Sequence, residues 1–382
     1  MNIKGFKNTN ILTENGIIKT NLIIKDGKID KIGDLDIDGL IELSDDKIVV
    51  PGFIDEHIHG AGGSEVMDGT LEALEVLSNV LPQEGTTSYL ASTDSHSIEK
   101  INKCLEAVNE YIKLNKETGS SIIGIHLEGP FLARRYAGAM VPEYIIKPNL
   151  EIFKQFEQAS GNNIKLVTMA IEEEGADELI EYLKSKNITI SIGHANATYQ
   201  VIKEGIKKGV TSVTHTYNAM KPLRRDEIGT VGCAMLFDEL YCEAICDGIH
   251  VSPPALQLLW KNKPNDKFVL VTDSLRPKYL PNGIYPEADQ IIVVQDGAAR
   301  LDTGRLAGSI LKMNQAVKNI MNFLNIDFET AIKCATANPA KNLGVYDKIG
   351  SIKEGKLANL VIVDKDVNVY QTIREGKIIY SK

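Results

Sequence analysis

Eight short apolar runs pace the middle of this 382-residue chain, at 48–54, 87–91, 122–127, 164–170, 188–192, 211–214, 241–246 and 268–272. Between most of them lie stretches with helical spacing of apolar residues, at 71–81, 98–114, 176–186 and 199–208. Runs that are apolar throughout, rather than alternating, belong to strands covered on both faces. Strands that alternate with helices build a parallel sheet. Eight such β-α units match a (β/α)8 TIM-like barrel, a fold of about 250 residues. Periodicity does not report closure, so a doubly wound open sheet remains the alternative.

The two ends read differently. Leu22-Ile23-Ile24 and Ile29-Asp30-Lys31-Ile32 flank Asp26-Gly27, a hairpin signal. Near the other end, Leu360-Val361-Ile362-Val363, Thr372-Ile373 and Ile378-Ile379-Tyr380 are short strands with polar turns. Neither end has enough apolar residues for its own core. Together they are expected to form one small β-sandwich domain from 1–50 and 345–382, beside a barrel spanning 51–344.

Composition narrows the function. Hydrophobic residues at 43% and charged residues at 24% exclude a disordered chain. A net charge of −9 argues against nucleic acid as a partner. The apolar runs are strand-sized, so no membrane span is expected. The opening Met1-Asn2-Ile3-Lys4-Gly5-Phe6-Lys7 lacks the apolar core of a secretory leader. Cys104, Cys233, Cys242, Cys246 and Cys334 show no paired spacing, which suits free thiols in a reducing cytoplasm.

In a barrel of this kind, chemistry sits just beyond the C-terminal ends of the strands. Here those positions carry His57 and His59 after the first run, Glu128 after the third and His194 after the fifth. His215 follows the sixth run, His250 the seventh and Asp273 the eighth. The chain has 7 histidines, and the remaining two are His96 and His126. Those two read as ordinary hydrogen-bonded residues, His126 pointing away from its neighbour Leu127. Imidazole with carboxylate is a donor set for a divalent metal such as zinc or iron. His57 and His59 share a face of an extended segment. Asp273 could cap a helix, but Ser274-Leu275-Arg276-Pro277 is no helix start. A proton-transfer role beside an activated water fits it better.

These residues resemble the amidohydrolase superfamily and, within it, the N-acetylglucosamine-6-phosphate deacetylases. The pieces that carry the resemblance run through nearly the whole chain. They are Pro51-Gly52-Phe53-Ile54-Asp55-Glu56-His57-Ile58-His59-Gly60, His126-Leu127-Glu128-Gly129-Pro130-Phe131, Gly193-His194-Ala195-Asn196-Ala197-Thr198-Tyr199, Thr214-His215-Thr216-Tyr217-Asn218-Ala219-Met220, Asp247-Gly248-Ile249-His250-Val251, Val271-Thr272-Asp273 and Leu306-Ala307-Gly308-Ser309. The resemblance implies a homodimeric cytoplasmic hydrolase that removes acetate from N-acetyl-D-glucosamine 6-phosphate, with one or two divalent ions, Zn2+ first and Fe2+ next. It implies Glu128, His194 and His215 as ligands of the main ion, His57 and His59 for a second ion, and Asp273 as general base and acid.

For the substrate the resemblance implies Asn218, Ala219 and His250 around the sugar phosphate. Ala139 and Leu306-Ala307-Gly308 would line the sugar and acetyl pocket. The chain departs from the family twice. Gly138-Ala139-Met140 puts a thioether where many members have histidine or glutamine, and a thioether cannot donate a hydrogen bond. In Arg224-Arg225-Asp226-Glu227-Ile228-Gly229 an ungapped match sets Asp226 at the phosphate arginine's place. Arg225 is the expected phosphate contact, with Arg224 beside it; a solvated basic pair is the alternative. Rival functions are a deacetylase for the galactosamine epimer, a cyclic amidase, which the Asn-Ala-Met piece disfavours, and an inert barrel that binds a sugar phosphate.

Overall fold

The computed structural model describes residues 2–35, 37–287 and 290–382; Met1 of the opening stretch lies outside them. Eight parallel strands form one sheet in sequence order: Phe53–Ile58, Thr86–Ser92, Ser121–Glu128, Ile164–Met169, Thr189–Ile192, Ser212–Val213, Tyr241–Ile245 and Phe268–Val271. Its edges, the first and eighth strands, meet and nearly close the sheet into a barrel. At the seam the Asp273 amide donates to the His57 carbonyl at 2.8 Å, and the His59 amide to Ser274 at 3.0 Å. The barrel, not the open sheet, is the architecture.

Helices cover the outside for reasons visible in their sequences. In Ile98–Leu114 the buried residues Ile101, Cys104, Leu105, Val108 and Tyr111 recur every three or four positions. Ser97 caps this helix by accepting from the Lys100 amide at 3.3 Å, and Asn115 ends it in the left-handed conformation.

Strands from both chain ends form a second sheet, in the order Lys377–Ser381, Val369–Arg374, Leu360–Val363, Ile48–Pro51, Gly5–Thr13, Gly16–Lys25 and Lys28–Gly33, with Ile41–Glu42 beside Gly5–Thr13. Phe6, Ile11, Leu22, Ile29 and Val49 from the N-terminal end meet Leu360, Ile362 and Ile373 from the C-terminal end in one apolar core. The expected hairpin turn at Asp26-Gly27 has positive φ at both residues, +50° and +74°, as its turn type requires.

One strand boundary differs from the sequence reading. The run 48–54 is two elements. Ile48–Pro51 pairs antiparallel with Leu360–Val363, and the first barrel strand starts at Phe53. Between them lies Gly52, where a Cβ would stand 2.2 Å from the Thr87 hydroxyl. Asp55, Glu56 and His57 therefore lie inside the first barrel strand rather than after it. A polar stretch reads as strand end only when the strand's surroundings are apolar, and here the barrel interior supplies hydrogen-bond partners instead.

A three-stranded antiparallel sheet, Gly283–Glu287, Gln290–Gln295 and Ala298–Leu301, follows the eighth strand. It is absent from the sequence reading, although Asp296-Gly297 marks its second turn. All five cysteines are free and buried. No helix of the described residues is long and apolar enough to cross a membrane.

Candidate active site

The strand ends converge on Glu128. Its Oε1 lies 3.3 Å from His194 Nε2 and 3.2 Å from His215 Nε2. Its Oε2 lies 3.2 Å from His57 Nε2 and 3.1 Å from His59 Nε2. One carboxylate thus faces two histidine pairs, one with each oxygen. Asp273 Oδ1 closes the His57/His59 side, at 3.5 Å and 3.3 Å from the two Nε2 atoms.

The backbone at these positions is unusual. His194, His215 and Asp273 have φ of +47°, +28° and +47°, a region that L-residues seldom occupy. Such conformations cost free energy and persist where the surroundings enforce them. Each turns a side chain inward at the end of a barrel strand.

Tautomers follow from the outer ring nitrogens. His194 Nδ1 lies 2.8 Å from the Tyr136 carbonyl, which can only accept. His57 Nδ1 lies 2.9 Å from Glu243 Oε2. Each Nδ1 is the donor, so in the neutral ring it is Nε2 that turns its lone pair to the cleft. Yet His57 Nε2 stands 3.2 Å from His59 Nε2, and His194 Nε2 stands 3.1 Å from His215 Nε2. Opposed ring nitrogens at that separation suit a shared cation. His57, His59 and Glu128 form one group that could hold an ion, and Glu128, His194 and His215 another. Nitrogen and carboxylate donors fit Zn2+, Fe2+ and related divalent ions.

The electrostatics of the metal-free site agree. Burial opposes charge on Glu128, but His57, His194 and His215 hold its carboxyl well below the usual range. Burial likewise opposes charge on His59, and the Asp273 and Glu128 carboxylates overcome it, raising the imidazole to about 10. Asp273 is lowered by His57 and His59 against its own burial.

A cavity of about 300 Å³ opens onto this cluster. Ala139, Asn218, Ala219, His250, Leu306, Ala307 and Gly308 all line it, beside His59, Glu128, His194, His215 and Asp273. Asp247 accepts from His250 Nδ1 at 2.7 Å and orients the ring. Gly308 (φ +41°) passes close to the eighth strand's end: a Cβ there would stand 2.8 Å from the Asp273 carbonyl. Met140 also lines the cavity, and its sulfur accepts from the Ser95 hydroxyl at 3.0 Å. His57 itself lies behind His59 and Glu128, fully buried.

Arg224 and Arg225 are not brought into this cavity. Both are exposed, and Arg224 pairs with Asp226 at 3.5 Å. Glu227 fixes the base of their loop by accepting from the Tyr199 and Gly229 amides, each at 3.0 Å. The arginine that lines the cavity is Arg305, which donates to the Gly138 carbonyl at 2.5 Å. His96 stacks on Tyr144 at 4.3 Å, away from the cluster. His126 lies in the barrel interior, 3.1 Å from Ser92 Oγ and 2.7 Å from Thr168 Oγ1.

The sequence reading missed several lining residues. Asp94 follows the second strand, where the strand-end rule reaches it; burial pushes its carboxyl up to about 6, with His59 lowering and Glu128 raising it. Gln290 and Ile292 come from the three-stranded sheet, and Gln290 donates to the Ala139 carbonyl at 3.0 Å.

The amidohydrolase family matches residues 48–379, which hold every element of the cluster. The chain belongs to the amidohydrolase family. Among its relatives in this family, the chain is 40% identical over 342 residues to the N-acetylglucosamine-6-phosphate deacetylase of Bacillus subtilis, covering 89% of this chain and 86% of the relative. The crystal structure of the Thermotoga maritima N-acetylglucosamine-6-phosphate deacetylase superposes with a TM-score of 0.90 at 34% identity, covering 99% of this chain and 100% of that one. The Mycobacterium smegmatis enzyme was solved as an aspartate-to-alanine mutant in complex with N-acetyl-D-glucosamine-6-phosphate. It superposes with a TM-score of 0.93 at 26% identity, covering 100% of both chains. As in this amidohydrolase family at large, the chemistry is that of a metal-dependent hydrolase.

Proposed function

We propose that this chain hydrolyses N-acetyl-D-glucosamine 6-phosphate to D-glucosamine 6-phosphate and acetate. The observation that carries the reading is Glu128 facing two histidine pairs at 3.1–3.3 Å, with Asp273 beside one of them, at the mouth of a substrate-sized cavity. The deacetylase relatives support the choice of substrate.

Glu128, His194 and His215 would hold the main divalent ion, Zn2+ or Fe2+, and His57 and His59 would serve a second. When bound, the ion supplies Lewis acidity, lowering the pKa of water and polarising the acetyl carbonyl. Asp273 takes the proton of the attacking water at its carboxylate and returns it to the amine nitrogen as the C–N bond breaks. Ala139, Leu306, Ala307 and Gly308 enclose the sugar and acetyl group. The Asn218 and Ala219 segment and His250 bind the phosphate end, and Arg225 or Arg224, exposed on a loop outside the cavity, assists only by moving onto the bound phosphate. Holding the remote phosphate fixes the amide over the reacting centre. The protein acts as a cytoplasmic homodimer on this small molecule.

Acetate release over a panel of N-acetyl hexosamines, with and without the 6-phosphate, tests the reading. Turnover of the phosphorylated glucosamine derivative well above the rest is expected. Preference for the galactosamine epimer would reassign the substrate, and no release from any of them would leave a binding protein.

A further inference from the structure

Glu243 is a buried carboxylate in the seventh barrel strand, among Tyr241, Cys242, Ala244 and Ile245. Its Oε2 lies 2.9 Å from His57 Nδ1 and accepts from the His215 backbone amide at 3.1 Å. One oxygen therefore touches a residue of each histidine pair. The His126 ring packs against the His57 ring in a T-shaped arrangement, at 4.5 Å between centroids. His126 is itself fixed by Ser92 and Thr168, at 3.1 Å and 2.7 Å. The His57 imidazole thus has its plane set by packing and its proton set by Glu243.

We propose that Glu243 is a positioning residue that builds the His57/His59 half of the site. It locks His57 as the Nδ1–H tautomer, so that Nε2 is available to a divalent ion shared with His59 and Glu128. This rests on reading His57, His59 and Glu128 as ligands of a second ion. A carboxylate behind a ligating imidazole also raises the basicity of its free nitrogen. The contact to the His215 amide ties the same carboxylate to the strand end that supplies the other pair.

The experiment titrates metal-free full-length protein with Co2+ and with Zn2+, reading stoichiometry and affinity by calorimetry and the visible spectrum of cobalt. Glu243→Gln keeps shape and an acceptor oxygen but removes the charge. Two ions are expected in the wild type. In Glu243→Gln the second should bind about 10–100-fold more weakly, with the first changed by less than about 3-fold and the second increment of the cobalt spectrum lost at equal metal. Equal weakening of both ions, or wild-type affinity for both, would overturn the role of Glu243. A wild type that takes up one ion overturns the underlying two-ion reading, and does so before any variant is made. Should Glu243→Gln fail to fold, the ring-nitrogen NMR shifts of His57 in the zinc-loaded wild type decide. Nδ1–H with coordinated Nε2 supports the proposal, and coordination through Nδ1 overturns it.

Discussion

Asp55 binds Thr272 across the barrel seam: its Oδ2 accepts from the Thr272 hydroxyl at 2.5 Å and its Oδ1 from the Thr272 amide at 3.2 Å. The first and eighth strands are the edges of the parallel sheet, so this side chain helps close a ladder that the backbone completes only in part. Thr272 precedes Asp273, and Asp55 lies two residues before His57. The contact therefore sets the carboxylate of the eighth strand against the histidines of the first. Burial raises the Asp55 carboxyl to about 6, which the Lys278 charge and the Thr272 hydroxyl restrain.

Asp55→Ala leaves the buried Thr272 amide without its acceptor and the Thr272 hydroxyl with only Ser274 Oγ, at 3.3 Å. Each unsatisfied group costs about 1–3 kcal/mol. Denaturant unfolding should show a loss in that range, with reduced turnover because Asp273 is no longer fixed. Asp55→Asn retains an acceptor oxygen and should lose much less. Equal losses in the two variants would show that bulk, not the hydrogen bonds, closes the seam.

Removing metal should abolish acetate release, and divalent ion should restore it. His194→Ala should lose activity and most bound metal, because it removes one of the three ligands in the Glu128, His194 and His215 group. His57→Ala with His59→Ala should lower stoichiometry without emptying that group. Metal analysis of dialysed protein reads both. Full activity of His194→Ala after chelator treatment would end the metal-dependent reading.

In the metal-free protein His59 stays protonated up to about 10, against about 6.5 in an unfolded chain. Its folded pKa is raised, so its stabilising contribution is complete below about pH 6.5 and is lost as pH rises toward 10. The chelated protein should therefore melt at progressively lower temperature over that window. The metal-loaded protein should not follow this decline, since the ion replaces the proton. Metal binding at neutral pH should release protons, measurable by calorimetry in buffers of different ionisation enthalpy. A flat melting profile of the chelated protein would mean that His59 is not held by Asp273 and Glu128.

The two arginine positions separate phosphate recognition from architecture. Arg225→Ala should raise KM for the phosphorylated sugar far more than for the unphosphorylated one, since a charge-assisted contact is worth about 1.5–3 kcal/mol. Arg305→Ala should affect both sugars alike, because Arg305 holds Gly138, which packs against the His194 ring. A loss confined to the phosphorylated sugar in Arg305→Ala would move the phosphate contact to Arg305.

What could be read from the sequence follows a physical division. His59, Glu128, His194, His215 and Asp273 were legible because they stand at or just past the end of a barrel strand's apolar run, and His57, which lies inside the first strand, was legible from its two-residue spacing to His59. The barrel and the two-ended sheet were legible from strand periodicity. Glu243 was not weighed, although a carboxylate inside the apolar run 241–246 is itself a signal of a buried partner. Its partners, His57 and the His215 amide, come from other strands, and no spacing within the run announces them. The strand boundary at Gly52 was hidden because one apolar run served two sheets. Gln290 and Arg305 were beyond reach for a further reason. The sheet that carries Gln290 and the turn after it that carries Arg305 are local, but their docking onto Ala139 and Gly138 joins segments about 150 residues apart, which local pattern does not encode.

Asp273 carries the sharpest expectation, because it separates proton transfer from binding. It lies 3.3 Å from His59 Nε2 and lines the cavity, while the residues after it form no helix for it to cap. Its backbone is pinned on both sides: its amide donates to His57 at 2.8 Å, and its carbonyl accepts from Ser309 at 2.7 Å. Asp273→Asn keeps size and backbone geometry but removes the basic oxygen. Metal uptake should fall little, and substrate should still bind. Turnover should drop by about 10²–10⁴, the usual contribution of a positioned acid-base group. The loss should appear in kcat rather than KM, since the interaction strengthens only as the proton moves. In the metal-free site His57 and His59 hold the Asp273 carboxyl below its ordinary value, and a bound cation acts on it in the same direction, so the wild-type rate should decline only at low pH, as that carboxylate takes up a proton. The variant should lose this acidic limb. Near-normal kcat in Asp273→Asn would remove it from the proton path. Metal loss as complete as in His194→Ala would make it a ligand first and leave the proton carrier to be sought among the other cavity carboxylates, with Asp94 the next to test.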